Sequence, residues 1–405
     1  MSNNFNLPIF IADNITLRSK SLFLKDIKNN TTTLQSRING KSVLVIGGAG
    51  TIGSNYIKAL LKYKPAKLYV VDTNENGLTE LVRDLRSSNG YNIPTDFKTY
   101  PMNFGDKVFE KMFRHENGFD IVANFAAHKH VRSEKDAFSV EAMIDNNVVK
   151  AKTLLDLLLD FPPQHFFCVS TDKAANPVNI MGASKKLMEQ VILAYGKHFK
   201  VTTARFANVA FSNGSLLQGF IERMSKKQPL SSPADVKRYF VSPEESGQIC
   251  LLACILGETG DIFFPKLKEK DMLDFATIAR KFLNDLGYSA DESASENEAK
   301  KKAEKFDPLS KRYPVYFFQS DTTGEKSFEE FFVESEVKDE KTYKGLGVVK
   351  NPQLPEFDAL QPFFEKLNTV LQNNNIQKND IVQLLNEYVP TFTHAETGKY
   401  LDQKM

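Results

Sequence analysis

A chain of 405 residues, 41% of them hydrophobic, is long enough to bury a large core and to form two or three structural units. Its 52 basic and 50 acidic side chains nearly cancel, to a formal net charge of +2 without long basic runs, which gives no reason to expect nucleic acid or an anionic membrane as a partner. No apolar run reaches the length of a membrane span, and the polar start Met1-Ser2-Asn3-Asn4 is no signal peptide, so a cytoplasmic location is expected.

The first strong element is Ser42-Val43-Leu44-Val45-Ile46, a short apolar run rich in β-branched residues. It leads directly into Gly47-Gly48-Ala49-Gly50-Thr51-Ile52-Gly53 and then a helical pattern to about Tyr63. Strand, glycine turn and helix in that order suit a dinucleotide. Gly47 permits the tight turn, Gly50 lets the backbone approach a pyrophosphate, Gly53 allows close helix-to-strand contact, and the helix N-terminus faces the phosphate charge. The next strand, Lys67 to Asp72, ends on a carboxylate that can accept hydrogen bonds from the adenosine ribose hydroxyls. The same charge repels a 2′-phosphate, which favours NAD over NADP.

Strand and helix signals then keep alternating. Phe97 to Pro101 reads as a third strand, Asp120 to Phe125 as a fourth, Phe138 to Leu159 as a long helix and His165 to Ser170 as a fifth strand. Met181 to Ala194 follows as a helix and Lys200 to Arg205 as a sixth strand. The pattern predicts an α/β fold with a Rossmann-like doubly wound parallel sheet over residues 38–210, preceded by an N-terminal extension, 1–37. Residues 211–350 are more irregular and read mainly as a smaller mixed substrate-binding lobe, in which the charged stretch 287–312 is expected to be a mobile loop or a solvated helix. Residues 351–405 read as a helical tail without a catalytic motif, with helices near Phe363 to Leu371 and Ile381 to Tyr388.

Cys168, Cys250 and Cys254 all sit in apolar contexts. Cys250 and Cys254 share a helical face, but no histidine or third thiol lies near them, so packing is expected and no metal. His128 and His130 alternate beside Lys129 without further ligands at metal spacing and are expected to serve a loop or the core. Asp172-Lys173 follows the fifth strand directly. Taken alone, such a pair is better explained by a solvated strand end, but its place directly after a Ser-Thr strand end and 12 residues before Lys185 turns the balance towards acid–base chemistry.

The motifs together resemble those of the nucleotide-sugar 4,6-dehydratases of the extended short-chain dehydrogenase/reductase superfamily, in the polysaccharide-biosynthesis branch acting on UDP-N-acetylglucosamine. The resemblance runs from about Ile38 to Phe332. It rests on the GxxGxxG turn, Ala126-Ala127-His128-Lys129-His130-Val131, Ser170-Thr171-Asp172-Lys173-Ala174, Asn176-Pro177 and Met181-Gly182-Ala183-Ser184-Lys185, and continues through Arg205-Phe206-Ala207-Asn208-Val209, Arg238-Tyr239-Phe240 and Gly324-Glu325-Lys326. Departures are Thr322-Thr323, where the family commonly has Arg or Pro, and His128, where it has Leu. In that family a catalytic tyrosine stands four residues before the lysine. Members with methionine there retain the C5 configuration of the sugar, so Met181 implies the retaining type.

The resemblance implies NAD as cofactor, held by Gly47, Gly50, Thr51, Ile52, Gly53, Asp72, Asn103, Ala126, Ala127 and Lys185. It implies a UDP-sugar touched by Lys129, Asn208, Arg238, Glu325 and Lys326, no metal, and a homo-oligomer. Catalysis falls to Thr171, Asp172, Lys173, Met181 and Lys185, with Lys173 as base at C5, its pKa lowered by burial beside the cofactor, and Asp172 as acid at C6. Two other readings stay open: a UDP-sugar 4-epimerase, which ordinarily needs the tyrosine, and an NAD-binding regulatory protein that has lost its chemistry.

Overall fold

The computed structural model describes residues 5–321, 324, 326, 328–351, 353–394 and 398. Six parallel strands form most of the main sheet: β1 (Ser42–Ile46), β2 (Lys67–Asp72), β3 (Asp96–Pro101), β4 (Ile121–Asn124), β5 (His165–Val169) and β6 (Val201–Ala204). From one edge the order runs β3, β2, β1, β4, β5, β6, then the strand Ile262–Pro265, parallel to β6, and the strands Leu346–Lys350 and Val337–Asp339, both antiparallel to their inner neighbours. The central strands read as continuous apolar runs because helices cover both faces of the sheet, so side chains pointing either way are buried. Val43 and Val45 enter one core and Leu44 and Ile46 the other.

Strand order reverses between β1 and β4, which leaves a crevice beyond their carboxyl ends, the usual ligand position in open α/β sheets. On one face the helices Thr51–Leu60 and Pro243–Leu256 cross so closely that a side chain on Gly247 would lie 2.2 Å from the Asn55 carbonyl. On the other face lie the Ile180–Ala194 helix and the expected long helix. The latter is interrupted, as Ala137–Ile144 and Lys150–Asp160 are joined by a π-helical segment, Asp145–Val149. The π segment lets Asn147 reach back to the loop after β4: its Oδ1 accepts from His128 N at 2.8 Å and its Nδ2 donates to His128 O at 2.9 Å and to Ser184 Oγ at 3.1 Å.

The helices Gln361–Leu371 and Lys378–Tyr388 bury Phe363, Leu367, Ile381 and Leu385 in this second core, so the tail is packed rather than merely appended. Part of the stretch after 211 also returns to the main sheet, through the Pro243–Leu256 helix and the edge strands. The rest builds a second lobe: parallel strands Leu230–Pro233, Arg312–Phe318 and Ser289–Glu292 packed on the helices Leu216–Ser225 and Phe275–Asp285. Within 287–312 the helix Glu296–Glu304 is solvated as expected, but it is capped by Ser295 and flanked by two paired strands.

The N-terminal segment holds both lobes. Phe10, Ile11 and Ile15 enter the core of the second lobe, whereas Phe23, Leu34 and Ile38 enter that of the first. Arg18 meets Glu245 through Nε at 3.0 Å and Nη2 at 2.8 Å, and buried Asp26 accepts from the backbone N of Lys344 and Gly345, both at 2.7 Å.

Candidate active site

A cavity of about 470 Å³ opens at the crevice. Its floor is the glycine turn. Gly47 has φ +76°, a left-handed conformation that favours glycine, and a Cβ there would stand 2.6 Å from Ala126 N. A Cβ on Gly53 would stand 2.4 Å from the Gly47 carbonyl, so the helix starts pressed against the strand end. Gly50, by contrast, would meet only one atom, at 3.5 Å, and its open side leads onto the first helical residues Thr51 and Ile52. Such a cradle, with free backbone donors at a helix start, fits a pyrophosphate. Replacing Gly47 with alanine is expected to force the β1 turn and the β4 loop apart and to abolish dinucleotide binding, as measured by calorimetric titration with NAD; undiminished affinity would contradict this role for the turn.

Asp72 ends β2 at the same cavity. Its Oδ2 accepts from Ala49 N and its Oδ1 from Asn74 N, each at 2.9 Å, which fixes the carboxylate beside the turn and leaves lone pairs for ribose hydroxyls. Asn103, Ala126 and Ala127 line the cavity with it, as do Lys129 and Asn208. The Lys129 ammonium donates to the Asn213 carbonyl at 3.0 Å, and Asn213 N donates to Thr51 Oγ1 at 2.9 Å, so residue 213 links the two sides of the mouth.

At the other end, the single turn Asp172–Ala174 directly after β5 brings together Thr171, Asp172 and Lys173. Asp172, 3% exposed, accepts at Oδ1 from Thr171 Oγ1 at 2.9 Å, from Lys173 N at 2.9 Å and from Lys173 Nζ at 3.1 Å. Met181 and Lys185, one turn apart on the Ile180–Ala194 helix, are both buried and line the same cavity. Lys185 Nζ donates to the Val169 carbonyl at 2.7 Å, and burial lowers its pKa. The helix start is fixed by Asn179, whose Oδ1 accepts from Gly182 N at 2.7 Å, and by buried Glu134, which accepts from Ile180 N at 3.0 Å and Met181 N at 2.8 Å.

The charge on Lys173 corrects the expectation. Burial alone would lower its pKa, but Asp172 and Glu329, opposed by Arg238, hold it above the ordinary lysine value. The Glu329 carboxylate, 3.6 Å from Lys173 Nζ and itself buried, was not found in the sequence, although it lies three residues beyond Lys326. Arg238 and Lys326 stand outside the cavity lining, in the layer around Glu329: Arg238 is 3.9 Å from Glu329 and donates to the Lys326 carbonyl at 2.9 Å, and Lys326 Nζ donates to the Asn176 carbonyl at 2.6 Å. These contacts hold both side chains beside Glu329. Glu325 lies outside the described residues. Glu134 carried no signal either, since its partners are distant in sequence.

All of these positions fall inside residues 43–351, which match the polysaccharide biosynthesis protein family. The chain belongs to this family. A Bacillus subtilis protein named as a probable polysaccharide biosynthesis protein is 26% identical over 364 residues, 85% of this chain and 56% of its own length, so the chain spans little more than half of that relative. A Campylobacter jejuni UDP-N-acetylglucosamine 4,6-dehydratase of the inverting type is 27% identical, over 59% of this chain and 70% of its own. Among solved structures, Pen from Bacillus thuringiensis superposes with a TM-score of 0.62 at 18% identity, covering 87% of this chain and 98% of its own. A dTDP-glucose 4,6-dehydratase of Streptomyces venezuelae, solved with NAD, gives a TM-score of 0.54 at 18% identity, over 72% and 88%. These likenesses establish the α/β fold. Among the described residues no helix is long and apolar enough to cross a membrane.

Proposed function

We propose that the protein is an NAD-dependent nucleotide-sugar 4,6-dehydratase that acts on UDP-N-acetylglucosamine and retains the configuration at C5. The observation that carries this reading is the position of Thr171, Asp172, Lys173, Met181 and Lys185 at one end of the cavity whose other end is the glycine cradle and Asp72. Bound NAD would supply a hydride acceptor for C4 of the sugar and a hydride donor for C6, so the net change is loss of water.

The chain's own residues supply the proton steps. Thr171 hydrogen-bonds the C4 oxygen and passes the C4 hydroxyl proton to the Asp172 carboxylate, 2.9 Å from Thr171 Oγ1, as C4 becomes a ketone; neutral Lys173 removes the proton from C5, Asp172 gives its proton to the departing C6 oxygen, and Lys173 returns a proton to C5 as C6 becomes a methyl group. Lys185, buried and already aimed at the strand end, holds the nicotinamide ribose hydroxyls. Met181 occupies the place of a phenol with a side chain that has no proton to exchange, which supports handling of the C5 proton by one group on one face of the ring. Lys129 and Asn208, at the cavity wall, contact the sugar nucleotide.

Incubation with UDP-N-acetylglucosamine and mass analysis of the product tests the reading: loss of one water is expected. An unchanged mass with inverted C4 would identify an epimerase, and unchanged substrate a binding protein. Asp72→Ala is expected to weaken discrimination between NAD and NADP, measured as the ratio of their dissociation constants; a ratio near one in the unmutated protein would contradict the role of Asp72.

A further inference from the structure

Lys173 must be neutral to accept a proton, yet the buried groups around it hold it charged. Its ammonium lies between two carboxylates, Asp172 at 3.1 Å and Glu329 at 3.6 Å. The two carboxylates differ. Asp172 Oδ1 already accepts from a hydroxyl and a backbone N–H, whereas Glu329, 4% exposed, faces Lys173, Arg238 at 3.9 Å, Asp172 and Lys326. A charged lysine and glutamate can become a neutral amine and a neutral acid without any change in net charge, and desolvation, which falls mainly on buried Glu329 and less on Lys173 at the cavity wall, favours the neutral pair.

We propose that Glu329 is the positioning residue that takes up the Lys173 ammonium proton and so prepares Lys173 as the base. The step is a proton transfer only. The Lys173 Nζ–H bond breaks, its electron pair stays on nitrogen, and an O–H bond forms on Glu329; Lys173 then accepts the C5 proton, and no oxidant or reductant is needed. Burial, followed by the opposing pull of Lys173 and the push of Asp172, leaves the Glu329 carboxyl above its ordinary value, the direction that eases uptake of a proton. Arg238, which reaches both Glu329 and the Lys326 carbonyl, keeps the carboxylate in place between transfers.

This inference rests on the proposed dehydration, and its test separates the two. Glu329→Gln and Glu329→Asp are compared with the unmutated protein for kcat and KM against pH, and, apart from turnover, for the titration of Lys173 by NMR of lysine carbon-13 labelled at Cε, its signal assigned with Lys173→Met. In Glu329→Gln, kcat at neutral pH is expected to fall at least about tenfold with KM little changed, and to recover as pH rises, because Lys173 must now lose its proton to water. The Lys173 midpoint is expected to fall by about one pH unit on loss of the opposite charge, and Glu329→Asp to restore much of kcat. If the unmutated protein eliminates no water, the proposed function fails, while the change in the Lys173 midpoint still decides whether Glu329 governs its proton. An unchanged midpoint, a kcat equal to or above the unmutated value at neutral pH, or a fall that is uniform at every pH and unrelieved by aspartate overturns the inference.

Discussion

Lys173→Met is expected to reduce dehydration by at least roughly 10²–10⁴-fold while leaving the dinucleotide cradle able to bind NAD. The cradle is built from β1, the glycine turn and Asp72, and none of its contacts includes Lys173. The fold is expected to survive because the Glu329 carboxyl, which burial already raises, rises further once the opposing ammonium is gone, and Arg238 stays 3.9 Å from it. The sign of the pH effect follows. A buried carboxyl with a raised pKa binds a proton more readily folded than unfolded, so the variant loses stability relative to the unmutated protein as pH rises through that pKa. Single-turnover formation of the dehydrated product, alongside NAD titration and unfolding curves, measures all three. Near-normal turnover would place the C5 base elsewhere.

Arg205→Met is expected to have the largest effect on stability. Arg205 is fully buried at the end of β6, and it joins three elements. Its Nε and Nη2 meet Glu189 of the Ile180–Ala194 helix at 3.0 and 2.8 Å, Nη1 and Nη2 meet Glu336 at 2.8 Å each, and Nη1 donates to the Phe331 carbonyl at 3.0 Å. Glu189 also accepts from Ser170 Oγ at 2.6 Å, which ties the network to the strand end that carries Thr171 and Asp172. Removing the guanidinium leaves two carboxylates with only Lys186 nearby, at a cost of about 3–5 kcal/mol, the range for breaking a buried ion pair from one side.

Burial alone would raise both carboxyls, but in the intact protein Arg205 overrides it and holds Glu189 and Glu336 below their ordinary value of 4.5. Their contribution is therefore present above that pH and is lost as pH falls through their depressed pKa values. The gap between Arg205→Met and the unmutated protein should be widest near neutrality and narrow on acidification. Denaturant unfolding at several pH values checks this; a gap that stays constant with pH would contradict the electrostatic origin.

Much of the nucleotide side of the molecule was legible. β1 and β2 announce themselves by continuous apolar runs, since a strand covered on both faces has no polar side to show, and the glycines mark where Cβ atoms have no room. Asp72 could be placed at the cavity because its position depends on local order alone: strand end, then turn. The N-terminal helices Leu24–Asn29 and Thr31–Ile38 were not legible, being too short for a periodic pattern to emerge, and their burial depends on β-sheet helices far along the chain. The same limit affected the chemistry. Adjacency of Asp172 and Lys173 is visible in sequence, but the charge state of Lys173 depends on Glu329, which only the fold brings to it, and so the expected fall in the lysine pKa is reversed. Arg238 and Lys326 read as substrate contacts by charge, and their closeness to Glu329 was not legible because only the fold brings Arg238 to that segment.

The central claim, elimination across C5 and C6 with the C5 configuration kept, is tested most directly by proton NMR of the product formed from UDP-N-acetylglucosamine immediately after mixing. A new methyl doublet at C6, a ketone at C4 and ring coupling constants of the unchanged C5 configuration are predicted. A methyl product with inverted C5 would contradict the role assigned to Met181, and a product without a methyl group would contradict the dehydratase itself.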